Sequence, residues 1–412
     1  MPKSLKISLL ALSVVFVLCL FLGVNARGVA AAGDTGQDGA YRQINVYGEV
    51  LQHVQTDYVE DPNIPKVTTG ALHGLLESLD ADSSYLNAAD YKVFKEHKGG
   101  KAQVGINVSK RYGYATVVSV VPGSPADKAN LNDGDIIEAI GNQDTRDLSL
   151  AVIQLMLQGV PGTELQLAVI RPRQAVPEKI SLNRVVVSEP AVSDTLYENS
   201  SILYLRPYVL DHEHVAQMEA KLKGLGKGTT KKVLLDLRDV SAGEEAEAVR
   251  AANFFLQTGT IATLQGQKVA KQTFTAESSK TLNAGAPLVV LVNRGTAGPA
   301  ELVAAALADN KRGDLVGEKT FGAGTQQKTF ELADGSAIIL SVAKYASPGG
   351  KKFEDEAVTP ATLVASNVDT AADDDNDANK TAEEKAAAAK KSSTQPDDQL
   401  SKALEMLKAK AA

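Results

Sequence analysis

Tryptophan is absent from this sequence, cysteine occurs once, and aromatic residues make up 5% of it. So few aromatics leave no platform on which sugars or unpaired bases would stack. The single cysteine, Cys19, excludes a disulfide framework and a Cys-based zinc site. A basic excess is missing too: 43 Lys and Arg stand against 50 Asp and Glu, for a net charge of −7. Binding of nucleic acid through a broad basic surface is thereby excluded. Of the five histidines, His212 and His214 share the stretch Asp211-His212-Glu213-His214, which reads as a solvated helix start. His53, His73 and His97 are scattered and read as structural, so no third ligand cluster appears and neither a metal nor a cofactor is expected.

What is present is an ordinary globular composition, 44% hydrophobic and 23% charged over 412 residues. At roughly 100–200 residues per domain, that length holds two or three domains with sizeable cores. Residues 1–32 read as a signal peptide or membrane anchor. Lys3 and Lys6 precede an uncharged stretch over 7–24, and small residues follow at Ala30, Ala31 and Ala32. The stretch is long for a signal and short for a span, and either reading puts the rest outside the cytoplasm. The expected location is periplasmic or otherwise extracytoplasmic, with attachment to the inner membrane if the segment is uncleaved. Leu18 before Cys19 argues against a lipid anchor, where a small residue is wanted.

Beyond a short polar linker, Ile44, Tyr47, Leu51, Val54 and Tyr58 recur in steps of three and four, one face of an amphipathic helix. Further helices are expected over 67–79 and 88–97, making 41–97 an N-terminal helical region. From 98 to 187 the pattern turns to short strands, at 103–108, 115–121, 135–140 and 164–171, with one helix over 148–158. Over 188–364, strands at 233–237, 288–292 and 337–343 alternate with helices at 245–256 and 299–310, the pattern of an α/β core around a buried sheet. Composition then shifts: Asp369, Asp373, Asp374, Asp375 and Asp377 open an acidic linker over 365–398, read as disordered. Leu400, Leu404 and Leu407 mark a last helix within 399–410. The fold class expected is multidomain α+β.

Residues 122–141, with Ser124-Pro125 opening a short helix, Asn130 at a left-handed turn and Asp133-Gly134 turning into a strand, resemble the core of a PDZ domain. The resemblance implies capture of a peptide C-terminus as an added strand along Val104, Gly105, Ile106 and Asn107, beside the helix over 148–158. Flanking segments narrow the family. Ser78-Leu79-Asp80-Ala81-Asp82-Ser83-Ser84-Tyr85-Leu86, Leu235-Asp236-Leu237-Arg238, the run from Leu288 to Asn310, and Val316-Gly317-Glu318-Lys319-Thr320-Phe321-Gly322 resemble carboxyl-terminal processing peptidases, also called tail-specific proteases.

That resemblance implies serine hydrolysis with a lysine as base, a base that works only when desolvation lowers its pKa. The family's serine-rich run opens a helix; here the stretch is Asn293-Arg294-Gly295-Thr296-Ala297-Gly298-Pro299-Ala300-Glu301, and Gly298 occupies the nucleophile's slot. Phe321-Gly322-Ala323-Gly324 puts Ala323 where the lysine belongs, and only the family's glutamine is kept, as Gln327. The oxyanion loop reads Asp239-Val240-Ser241-Ala242-Gly243, without the family's Pro-Gly turn, leaving Ala242 and Gly243 at its donor positions.

No substitute is evident. Ser341 and Lys344 lie three apart in a strand and face opposite sides. Thr296 carries a hydroxyl two residues before the slot, with no lysine identified near it. The expectation is an exported pseudoprotease that binds protein C-termini. The alternative is an active C-terminal processing endopeptidase with an unrecognised nucleophile. Partners expected are protein or peptide C-termini, a second copy or an active paralogue paired through the N-terminal helices, and the membrane if the first segment is retained.

Overall fold

A computed structural model describes residues 37–96, 102–172, 176–224, 231–366 and 397–410. The N-terminal segment over 1–32, Gly99-Gly100 and the acidic run at 369–377 lie outside the described residues. Among the described residues no helix is long and apolar enough to cross a membrane.

The chain divides into two compact units at Thr68 and Thr69. The first holds helix α1 (Gln37–Asp57) and the start of α2 (Ile64–Glu77). The three-and-four spacing does form one stripe on α1, and Tyr41, Ile44, Tyr47 and Leu51 are exposed along it. In the second unit, Asp80 accepts the N–H groups of Asp82 (3.0 Å) and Ser83 (2.6 Å), a carboxylate-closed turn. The turn delivers the chain into strand β1 (Ser84–Leu86) and then α3 (Ala88–Glu96).

Residues 102–183 form the small β-rich PDZ domain: β2 (Ile106–Arg111), β3 (Tyr114–Val120), α4 (Pro125–Lys128), β4 (Ile136–Ile140), β5 (Gln143–Asp144), α5 (Leu150–Leu157), β6 (Glu164–Ile170) and β7 (Glu178–Asn183). Their sheet runs β2-β3-β4-β6-β7, with β5 on β4, so β2 is an edge strand. Local chemistry sets the connections as the sequence suggests. Ser124 caps α4 by accepting the Asp127 N–H, Pro125 fills the first helical position, and Asn130 takes a φ of 55°. Strand β2 starts three residues later than expected, because Gly105 at φ 87° breaks the extended run. Leu150, Ile153 and Leu157 turn α5 into the domain's core. Its other side, at Ala151 and Val152, packs on Leu86, Tyr91 and Ala337.

The protease-like core comprises β8 (Ser193–Tyr197), β9 (Ile202–Arg206), α6 (His212–Leu222), β10 (Lys232–Asp236), α7 (Glu245–Asn253), β11 (Thr260–Gln265), β12 (Gln272–Thr275), β13 (Leu288–Val292), α8 (Pro299–Asp309), β14 (Asp314–Gly317), β15 (Thr325–Glu331), β16 (Ala337–Ala346), α9 (Phe353–Glu356) and β17 (Thr362–Leu363). Strands order as β17-β14-β13-β10-β9-β8, parallel except for β8. The unbroken apolar run of β13 follows from burial on both faces. Leu288, Val290 and Val292 enter the main core with α6, α7 and α8, while Val289 and Leu291 meet α10 (Asp398–Ala409) through Ala403 and Leu407. A second, antiparallel sheet runs β1-β16-β11-β12, with β15 along the other edge of β16.

Candidate functional site

The carboxyl end of β10 carries a buried polar framework. Asp236 has no exposed surface and accepts both the Tyr204 hydroxyl (2.9 Å) and the Arg238 guanidinium (2.6 Å). Burial works to raise its pKa, and Arg238 and Arg206 outweigh that and hold it low. Arg238 reaches on to Asp397 (2.9 Å) and Gln399 (3.2 Å), tying the start of α10 to the loop. After Asp239, at φ 61°, the chain pairs with Leu210: the Leu210 N–H donates to Ala242 O (3.1 Å) and the Glu244 N–H to Leu210 O (2.8 Å). Gly243 is required there, since a Cβ would stand 2.5 Å from Leu210 O. This pairing leaves the N–H groups of Ala242 and Gly243 without an acceptor among the described residues.

Glu301, in the first turn of α8, is fully buried and joins two loops through one carboxylate. It accepts the N–H groups of Gly298 (3.0 Å), Gly322 (2.8 Å) and Ala323 (2.7 Å), and the Thr320 hydroxyl. Burial pushes its pKa up to about 7 against the pull of these donors. Gly298 lies at φ 53°, ψ −114°, a conformation L side chains adopt only under strain, and a Cβ there would meet nothing within 4 Å.

These loops border a cavity of about 230 Å³ that Gly243, Gly298, Ala323 and Gln327 line together. Ala242 lies beside it and does not line it. Asp82, Glu245, Thr325, Tyr345, Leu302 and Phe353 also line the cavity, and sequence reasoning missed all six. Asp82 accepts the Thr325 hydroxyl (2.6 Å) and the Gln327 amide (3.3 Å), and burial raises its carboxyl. Burial likewise pushes Tyr345 up to about 12, with Glu245 adding to the rise. No serine, cysteine or lysine lines this cavity among the described residues. Thr296 is fully buried, donating to Leu237 O (2.8 Å) and accepting from the Asn293 N–H (3.0 Å). Ser341 donates to Asp80 (3.1 Å) and Lys344 pairs with Glu354 (2.8 Å), so these side chains serve the sheet. His214 sits between Asp211 (2.7 Å) and Pro190 O (3.0 Å), and His212 pairs with Glu247 (3.0 Å).

On the PDZ domain, the Val121 N–H donates to Gly105 O (2.9 Å), and Ile106 stands opposite Val120. In an antiparallel ladder that bond makes the Ile106–Val120 pair a non-hydrogen-bonded one, so the N–H and C=O of Ile106 face the free edge. The Val104 and Gly105 N–H groups have no acceptor among the described residues. Gly105 cannot carry a side chain without collision, as a Cβ would lie 2.2 Å from the Ser124 Cβ. Val104 and Ile106 side chains are buried in the domain core. The Asn107 amide instead donates to Ser119 Oγ (3.0 Å), which meets Ser241 Oγ at 2.6 Å, so Asn107 joins the loop after β10.

Comparisons with known proteins agree with this layout. Residues 201–364 match peptidase family S41 and residues 92–170 match the PDZ domain. The chain is 29% identical over 355 residues to a carboxy-terminal-processing protease of Bartonella bacilliformis, covering 85% of this chain and 81% of that protein. It is 32% identical over 284 residues to a carboxyl-terminal-processing protease of Picosynechococcus sp., covering 68% of each. Among solved structures, a photosystem II D1 C-terminal processing protease superposes with a TM-score of 0.66 at 24% identity, over 78% of this chain and 92% of that one, and shares the fold. The chain belongs to the PDZ-containing carboxyl-terminal-processing protease family within peptidase family S41.

Proposed function

We propose that this chain is an exported pseudoprotease that captures protein C-termini through its PDZ domain and no longer hydrolyses them. The domains carrying this are a helical region over 41–97, a PDZ domain over 98–187, the core over 188–364 and the helix over 399–410. One observation carries the loss of activity: the cavity where the family's serine and lysine belong is lined by Gly298 and Ala323. The donors at Ala242 and Gly243 and the amide of Gln327 have no nucleophile to serve. Removing a serine protease's nucleophile costs on the order of 10⁶ in rate, and losing its partners afterwards adds little. C-terminal capture rests on the edge at Ile106 and the N–H groups of Val104 and Gly105, which have no acceptor among the described residues and suit a strand ending in a carboxylate. Export rests on Lys3, Lys6 and the uncharged stretch over 7–24. The exposed stripe at Tyr41, Ile44 and Tyr47 is where a second copy or an active relative would pair.

The chain from Gly33 onward should leave denatured casein and C-terminally tagged peptides uncleaved. Turnover that a fluorophosphonate abolishes, in a preparation free of other proteases, would overturn the reading. Gly298→Ser with Ala323→Lys should restore weak activity at most, and either change alone none. Peptides ending in a free apolar residue should bind at micromolar Kd, about −8 kcal/mol, and amidation should weaken them. Equal binding of acids and amides would sink C-terminal recognition. A second reading, an active peptidase, draws on the Thr325 hydroxyl beside Asp82 in the cavity. Under it, Thr325→Val would abolish a turnover that the intact chain displays.

A further inference from the structure

A groove of about 1040 Å³ lies across the antiparallel sheet, on residues distinct from those lining the central cavity and the PDZ edge. Gly266 approaches β16 so closely that a Cβ would stand 1.9 Å from Val342 O. That approach carries the turn between β11 and β12 over the strand and makes it one wall of the groove. Phe330, Leu340 and Val342 supply apolar surface on β15 and β16.

The charge of this groove runs against the rest of the molecule. Lys268, Lys271, Lys328, Lys344 and Lys352 line it, on a chain whose net charge is −7. Lys344 is matched by Glu354 (2.8 Å). Lys268 and Lys271 have no carboxylate partner among the described residues, and Lys328 lies over the Phe330 ring at 5.3 Å. Among the described residues Asp80 is the one acidic residue lining the groove, and its oxygens are taken by the Asp82 and Ser83 N–H groups and the Ser83 and Ser341 hydroxyls. Lysines along a concave, partly apolar wall focus a positive potential inward.

We propose that this groove docks an extended acidic segment of a partner protein. Its apolar side chains lie on Phe330, Leu340 and Val342, and its carboxylates meet Lys268, Lys271 and Lys328. The volume is at the upper limit of small-molecule pockets, and the unmatched lysines sit on two separate elements, which fits a polypeptide. A bilayer surface is flat and cannot enter the concavity. This interaction is independent of C-terminal capture.

The test uses the full chain and a fluorescent peptide of alternating Glu and Val, acetylated and amidated so that the PDZ edge has no carboxylate to hold. The Glu peptide should bind at least about tenfold more tightly than its Gln counterpart, and binding should weaken severalfold as salt rises from about 50 to about 300 mM. Lys268→Glu with Lys271→Glu should cost about tenfold while leaving the thermal midpoint unchanged, since both side chains are exposed. Lys328→Met should weaken binding by a smaller factor. Equal affinity for the two peptides, or no effect of the double reversal in a folded chain, overturns the proposal. So does lysine-dependent binding to phosphatidylserine vesicles without peptide binding. If replacing Asp369, Asp373, Asp374, Asp375 and Asp377 by Asn tightens peptide binding about tenfold, the chain's own acidic run occupies the groove and the partner assignment fails.

Discussion

The framework around the central cavity and the lining of that cavity are built on opposite lines. The framework is polar, buried and complete: Asp236 with Arg238 and Tyr204, and Glu301 with four donors. The lining is mixed: Gly243, Gly298, Ala323 and Gly324 leave room in a cavity of about 230 Å³ that Asp82, Leu302, Tyr345 and Phe353 also line. Framework groups fix where α8, α10 and two loops sit, so removing Asp236 weakens the pairing of a buried guanidinium and removing Glu301 leaves buried donors without an acceptor. Gly243, Gly298 and Ala323 add no side chain to the core, whereas Leu302, Tyr345 and Phe353 do. At Gly298 and Ala323 structure and lining are carried by different residues, because Glu301 holds both backbones by accepting their N–H groups (3.0 and 2.7 Å).

Substitutions can break that contrast. Asp236→Ala leaves Arg238 with Asp397 alone and the Tyr204 hydroxyl without its acceptor, and should cost about 3–5 kcal/mol in urea unfolding; a loss near zero would mean the framework is dispensable. Glu301 comes next and carries a pH signature. Its folded pKa, about 7, lies above the ordinary 4.5, so the stability it contributes is fully present below 4.5 and is lost as pH rises through 7. Each unit of that difference corresponds to about 1.4 kcal/mol. Glu301→Gln should flatten the fall in unfolding free energy between those pH values, and an unchanged slope would assign the titration elsewhere. Gly298→Ser should cost about 1–3 kcal/mol through backbone strain alone, because its Cβ has room. Ala323→Ser should shift stability by less than about 0.5 kcal/mol. If that last change costs as much as Asp236→Ala, lining and framework are not separable.

Elements that are both apolar and locally punctuated were legible in the sequence. Strand β13 falls on the expected 288–292, and α8 starts at the expected Pro299. The polar strands were not: β15, Thr325–Glu331, is half-exposed or exposed along its length, and β8 and β12 are short and polar. They are held by hairpin pairing with the strand beside each in the chain, β9, β11 and β16, through backbone hydrogen bonds that need no apolar pattern. The site divides the same way. Gly243, Gly298, Ala323 and Gln327 sit in recognisable runs and do meet. Asp82 arrives from far earlier in the chain, in a segment whose family resemblance is legible but which nothing in the sequence places at the cavity. Its hydrogen bond to Thr325 exists only once β1 pairs with β16.

The backbone of Gly298 has a historical consequence. At φ 53°, ψ −114° a glycine relaxes what any side chain would strain. On the proposed reading, exchanging the nucleophile for glycine released that strain in one step. Reinstating a serine would cost fold stability at once and return nothing until a lysine reappeared at 323. On that reading the exchange acts as a ratchet, because a serine restored at 298 alone meets the strain before it gains a function.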